Sequence, residues 1–173
     1  MPKCEMFIGL PASGKSTLVS RIKQDSYWVY STDAYIERIA KAQNKTYDEV
    51  FKDVISTATS EAEKYLTVAL AMKNNIIWDQ TNLGDKKRRK VITKLQSYDY
   101  DIHAHCVVPP ETVEDITEWN RRLHSRKGKS IPDFVIDNMI KSYVKPTLEE
   151  GFASISFYDI YGVLHGFTHR VAK

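Results

Sequence analysis

A short apolar run, Cys4-Glu5-Met6-Phe7-Ile8, leads directly into Gly9-Leu10-Pro11-Ala12-Ser13-Gly14-Lys15-Ser16-Thr17, and a helical pattern with Leu18 and Ile22 follows. This order constrains the chain more than any other feature. The glycines let the backbone curl with its N–H groups turned inward, close to an anion. A helix beginning where the curl ends adds about half a positive charge at its N-terminus. The spacing meets the pattern G-x-x-x-x-G-K-[ST], in which the lysine reaches the β- and γ-phosphates of a nucleotide and the hydroxyl binds Mg²⁺. Residues Gly9 to Thr17 are therefore expected to cradle ATP, with Lys15 on the phosphates and Ser16 on the metal.

Further runs at about 27–31, 75–79, 101–108 and 154–159 read as strands and alternate with longer segments of helical period. That alternation predicts an α/β fold: a five-stranded, mostly parallel sheet flanked by helices. Thr46 and Glu49 make a capping box, and the apolar positions from Val50 to Leu70 keep helical spacing, so a long helix should end near Lys73. Others are predicted over about 111–125, and from Pro132 to a stop before Pro146. Between these two, His124 to Ser130 is polar, and a mobile connection is expected there. The 173 residues show no linker or repeat, which predicts a single domain over 1–173.

Cys4 and Cys106 are isolated and fit neither a disulfide framework nor a zinc site, which suits a reducing compartment. No apolar run approaches the ~18–20 residues needed to span a bilayer, and the N-terminus lacks a signal peptide's apolar stretch. A cytoplasmic protein with no membrane partner is expected. The five histidines show no metal-binding spacing, and a net charge of +3 excludes no class of partner.

The phosphate cradle is shared by switch GTPases, motor ATPases and kinases. Asn44-Lys45-Thr46-Tyr47 lacks the aspartate of a guanine-reading N-K-x-D, and Asp79 is followed by Gln80 where a motor ATPase usually places glutamate. A kinase needs a base beside the acceptor hydroxyl and a cationic lid over the phosphates. Asp33 follows the second strand, at the sheet edge where ligands gather. As general base it would take the acceptor's proton; an aspartate there is equally suited to capping the next helix. Asp79 ends the third strand, where it would hold Mg²⁺ through water or else pair with an arginine.

Four motifs in order carry a resemblance: residues 9–17; Ser31-Thr32-Asp33-Ala34-Tyr35; Asp79-Gln80-Thr81-Asn82-Leu83 with Arg88-Arg89; and Ser125-Arg126-Lys127-Gly128-Lys129-Ser130-Ile131-Pro132 leading into Met139 to Tyr143. Across about residues 4–146 the chain resembles the kinase domain of phage-type polynucleotide 5′-kinases, within the wider P-loop kinase group. The resemblance implies transfer of the γ-phosphate of ATP to the 5′-hydroxyl of DNA or RNA, with Asp33 as general base. It gives the lid arginine as Arg126, with Arg122 as fallback. The family's arginine three residues after the base is Ile36 here, and Arg38 is the nearest substitute. The best-known relatives continue into a 3′-phosphatase domain; Asp159 to Leu164 lacks that domain's second aspartate and is expected to be a last strand and tail. The compartment would be the host cytoplasm for a phage-encoded chain.

Ten of the 25 basic residues fall in Lys86-Lys87-Arg88-Arg89-Lys90 and in Arg121 to Lys129. Lys86, Arg88 and Arg89 are thus candidate contacts to a substrate backbone, the alternative being an ordinary solvated helix face, and the resemblance adds Arg38. Tyr27, Trp28, Tyr30 and Tyr35 are expected in the core, with stacking on a terminal base as the other role. Partners compatible with this reading are a nucleic acid 5′-end, a second copy of the chain, and a separate ligase or phosphatase. Two alternatives stand: a P-loop kinase acting on a nucleoside, small metabolite or hydroxymethylated base in DNA, and a non-catalytic ATP-binding regulatory module.

Overall fold

A computed structural model describes residues 1–171. Strand β1 (Lys3–Ile8) lies between β3 (Ile76–Asp79) and β4 (Asp101–Val107), with β2 (Trp28–Tyr30) outside β3 and β5 (Ser154–Tyr158) outside β4, all parallel. Helices α1 (Lys15–Ile22), α2 (Thr32–Ala42), α3 (Tyr47–Ala71), α4 (Asp85–Gln96), α5 (Val113–His124) and α6 (Asp133–Ser142) fill the connections.

The sheet has six strands rather than five: β6 (Leu164–His169) pairs antiparallel with β5, giving the order β2-β3-β1-β4-β5-β6. An antiparallel edge strand need not be apolar on both faces, and four of its six residues are exposed, so it leaves little hydrophobic signal. The turn before it is built by Asp159, whose Oδ1 accepts from the amides of Tyr161 and Val163, with Gly162 at φ +78°. That aspartate shapes a hairpin.

Central strands are covered on both sides, as parallel sheets require. Cys4, Met6 and Ile8 of β1 face Leu66 and Leu70 of α3 and Ile92 and Leu95 of α4. Phe7 points the other way, among Leu18, Trp119, Leu123 and Ile136. A third cluster joins α2 to α3 through Ile36, Ala40, Val50 and Ala58. The reciprocal cap predicted at Thr46 and Glu49 is formed and starts α3.

This packing sets all the chemistry-bearing ends on one edge. Phe7 pairs with Asp79 and Met6 with Trp78, so β1 and β3 finish level, and Tyr30 pairs with Trp78 to bring β2 to the same height. Gly9, Ser31 and Gln80 leave the sheet there. Gly9 N–H donates to Thr81 O, and Thr32 and Gln80 share a side-chain hydrogen bond, so the three loops are tied together.

Candidate active site

The loop after β1 curls tightly, with Gly9 at φ +156°, Ala12 at +58° and Gly14 at +100°. A Cβ on Gly9 would lie 3.0 Å from Ser13 Oγ and 3.2 Å from Val107 O, and one on Gly14 would lie 3.1 Å from Ile160 O. Neither position has room for a side chain. Thr17 and Leu18 N–H return to Gly14 O, whereas the amides of Gly14, Lys15 and Ser16 find no backbone acceptor among the described residues. Such first-turn donors, on residues that line a cavity, fit a polyphosphate.

Lys15 closes the curl by donating from Nζ to Leu10 O at 3.1 Å. Burial pulls its pKa down to about 8, against the charges of Asp79 and Asp33. A lysine so desolvated gains most from an anion that restores its charge.

Two cavities meet at Ala12, Lys15, Ser16 and Arg126. The smaller, about 480 Å³, runs from the cradle to Thr17, Arg122, Ile160, Tyr161 and Gly162. Its far wall is the β5–β6 turn, with Arg122 Cζ 5.3 Å from the Tyr161 ring centroid. That wall of guanidinium and phenol suits a nucleotide's base and sugar. The larger cavity, about 910 Å³, runs the other way past Asp33, Asp79, Tyr47 and Phe51 to Lys52 and Lys127. A nucleotide in the first would thus present its phosphates at Lys15 to whatever occupies the second.

Asp33 sits in the first turn of α2, but the cap of that helix is Ser31, whose Oγ accepts from Ala34 N–H. The Asp33 carboxylate is turned away from that duty. Its Oδ1 accepts from Tyr47 OH at 2.8 Å and its Oδ2 from Lys129 Nζ at 2.8 Å. Burial raises the carboxyl's pKa, yet bonds from Lys129 and Tyr47 and the charges of Lys129 and Arg126 outweigh it, so the group stays below the usual range and ionised. Asp79 shows the opposite shift: burial pushes it up against the pull of Lys15.

Ser16 and Asp79 both line the larger cavity beside Lys15 and could hold Mg²⁺ together with phosphate oxygens and water. Among the described residues no group of three or more His, Cys, Asp or Glu side chains is arranged to hold a metal. Mg²⁺ needs no such cage when substrate phosphates and waters supply most ligands.

Of the two lid arginines, Arg122 is engaged by Glu118 at 2.7 Å and by Ile160 O at 2.6 Å, whereas Arg126 faces both cavities. The connection expected to be mobile is pinned: Gly128 O accepts from Asp48 N–H, and Ser130 N–H and Oγ both donate to Asp48 Oδ2 at 2.8 Å. Polar composition marks a loop but does not show which partners it meets.

Arg88 must be removed from the substrate contacts. Its side chain is fully buried, paired through Nε and Nη2 with Glu150 at 2.7 Å, and its Nη1 donates to Asn82 O and Leu83 O. It braces the loop after β3. Arg38, stacked 4.9 Å over the Tyr35 ring, Lys86, and Arg89, bonded to Glu149 O, are not among the residues lining the cavity. Ile36 is fully buried between α2 and α3. The cavity's flank is instead Lys52, Lys127 and Lys129, with the stacked pair Tyr47 and Phe51, ring centroids 5.5 Å apart. Tyr27, Trp28 and Tyr30 pack against the core clusters, as expected, and Tyr35 packs on the α2–α3 cluster. Phe51 is partly exposed beside its buried neighbour Val50, a difference that helical spacing of apolar residues does not by itself reveal.

The fold and cradle define a P-loop nucleoside-triphosphate-binding protein of kinase-like architecture. A family model described as an AAA domain (AAA_33) matches residues 5–146, and the chain belongs to that family. Three solved structures share the fold. One, from work on the PezAT chromosomal toxin–antitoxin system of Streptococcus pneumoniae, is 15% identical with a TM-score of 0.68, covering 96% of this chain and 72% of that one. A candidate kinase from Chloroflexus aurantiacus is 16% identical with a TM-score of 0.61, covering 91% and 85%. A chain of the Pnkp1/Rnl/Hen1 complex is 21% identical with a TM-score of 0.52, covering 77% of this chain and 44% of that one. Among the described residues no helix is long and apolar enough to cross a membrane.

Proposed function

We propose that the protein is an ATP-dependent polynucleotide kinase that moves the γ-phosphate of ATP to the 5′-hydroxyl of DNA or RNA. The observation that carries this reading is Asp33: an ionised carboxylate, not used as a helix cap, on the wall of a cavity that opens from the phosphate cradle. A protein that only holds nucleotide has no use for it.

In the proposed reaction Asp33 accepts the proton of the 5′-hydroxyl as its oxygen bonds to the γ-phosphorus and the bond to the β-phosphate oxygen breaks. Lys15 and Arg126 stabilise the charge spreading over the phosphoryl oxygens, which is most of the catalytic work in such transfers. Ser16 and Asp79 are the residues that would hold Mg²⁺, which would neutralise charge on the phosphates. The order of the four motifs supports a nucleic acid acceptor, as do the size of the larger cavity and its pairing of stacked aromatics with lysines.

A second reading keeps the chemistry and changes the acceptor to a nucleoside, a small metabolite or a hydroxymethylated base in DNA. Its support is Ile36, buried where the resembling family carries an arginine for the acceptor's phosphate.

Incubation with γ-labelled ATP and Mg²⁺, offering 5′-hydroxyl DNA, RNA, 3′-nucleotides and nucleosides in parallel, tests both. Label on oligonucleotides is the expected result; label on small acceptors alone replaces it with the second reading. No label, despite measurable ATP binding, refutes phosphotransfer. Asp33→Ala should lose roughly 10²–10⁴-fold in turnover, the usual share of a general base, with ATP affinity within a few-fold of wild type.

A further inference from the structure

The three residues after Lys127 do more than connect α5 to α6. Gly128 adopts φ +67°, and a Cβ there would fall 2.5 Å from Thr46 Cβ, so the segment lies directly on the capped start of α3. Asp48, in the first turn of α3, holds it from both sides, receiving Ser130 and donating to Gly128 O. Between these anchors Lys129 reaches inward. Its Nζ donates to Asp33 Oδ2 at 2.8 Å and to Glu37 Oε1 at 2.7 Å, and lies 4.3 Å from the Tyr47 ring centroid, with its side chain only 15% exposed.

A surface lysine contributes little to an ion pair, because water screens it and its long side chain loses freedom. Lys129 differs. It is mostly shielded, it bonds two carboxylates at once, and it adds a third cation to a site already holding Lys15 and Arg126. That crowding is unfavourable unless the carboxylates offset it.

Resting on the phosphotransferase reading, we infer that Lys129 is a positioning residue: it latches the segment carrying Arg126 onto the helix carrying Asp33, fixing the separation between the phosphate side and the acceptor side of the cavity. Arg126 stands three residues before the latch, and Asp33 stands at its far end. Lys129 and Tyr47 each take one oxygen of Asp33, which orients the carboxylate and leaves lone pairs for the acceptor hydroxyl. The charged and titratable groups facing Asp33 are then Lys129 and Arg126 from the connection, Glu37 from its own helix, Tyr47 from α3, Lys15 from α1 and Asp79 from β3. Of these, Lys129 alone belongs to the lid segment and bonds Asp33 directly; Tyr47 supports it by bonding Asp33 through its hydroxyl and offering its ring face to Lys129 Nζ.

Lys129→Met and Lys129→Arg test the latch by two independent readouts. In the substrate-free protein, amide hydrogen exchange over residues 126–130 should speed up about tenfold or more in Lys129→Met and stay near wild type in Lys129→Arg. In the kinase assay Lys129→Met should lower kcat roughly 10–100-fold, the effect of losing a charge-assisted bond, with the KM for ATP within about threefold. The acid limb of its pH profile should move to higher pH, because Asp33 loses the partner that keeps it ionised; Lys129→Arg should restore both. Unchanged exchange in Lys129→Met overturns the latch. Faster exchange with wild-type kcat and an unmoved acid limb overturns its role in positioning. If wild type labels no acceptor, the proposed activity fails by itself, while the exchange comparison still decides whether Lys129 holds the segment.

Discussion

Replacing Arg88 by methionine separates two accounts of this residue. Methionine keeps much of the volume and removes the charge. Glu150 would be left with its side chain 2% exposed and its cation gone, and Asn82 O and Leu83 O would each lose a donor. Breaking a buried ion pair from one side costs about 3–5 kcal/mol, because the remaining charge stays desolvated. For a chain of 173 residues each kcal/mol moves the melting temperature by about 2–4 °C, so Arg88→Met should melt roughly 6–20 °C lower. Adding Glu150→Leu removes the stranded carboxylate and should recover at least half of the loss. Recovery should be incomplete, since Asn82 O and the Thr147 amide, which donates to Glu150, remain unpaired, whereas Leu83 O keeps the Val144 N–H. Thermal and urea unfolding of wild type, both single variants and the double variant measure the cycle. A melting temperature within about 2 °C of wild type for Arg88→Met, with a weakened KM for the acceptor, would show that Arg88 serves the substrate and would refute the buried pair.

Two further outcomes follow from the nucleotide side. With Lys15 titrating at about 8 in the free protein and restored to its charged form by phosphates, ATP binding should take up a proton, about half an equivalent at pH 8. ATP affinity should then fall about tenfold between pH 7 and pH 9, as calorimetry in buffers of different ionisation enthalpy would measure; flat affinity over that range contradicts the buried, depressed lysine. Tyr161→Ala removes one wall of the smaller cavity and should raise the KM for ATP by roughly 5–100-fold, the range for lost base stacking, with kcat little changed. An unchanged KM would place the base elsewhere.

The two kinds of information divided cleanly at this site. Walker-type spacing over Gly9 to Ser16 is local: the curl, the helix start and the lysine all lie within one stretch of backbone, so their chemistry is written in consecutive residues. The capping box at Thr46 and Glu49 is legible for the same reason, and the strand runs were apolar enough to place β1 to β5 within a residue or two. What sequence could not carry was the direction of side chains whose partners are distant. Arg88 and Arg89 are neighbours in one basic run, yet one is fully buried against Glu150 and the other is exposed. Only the packing of α4 against the turn at Leu148–Glu150 decides between them. Lys129 lies 96 positions from Asp33, and their meeting depends on the connection between α5 and α6 being seated on the start of α3 through Asp48. Local spacing fixed what the cradle can bind; tertiary packing chose which charges surround it, because burial and opposite charge, rather than residue type, determine whether a cation braces the fold or faces the cavity.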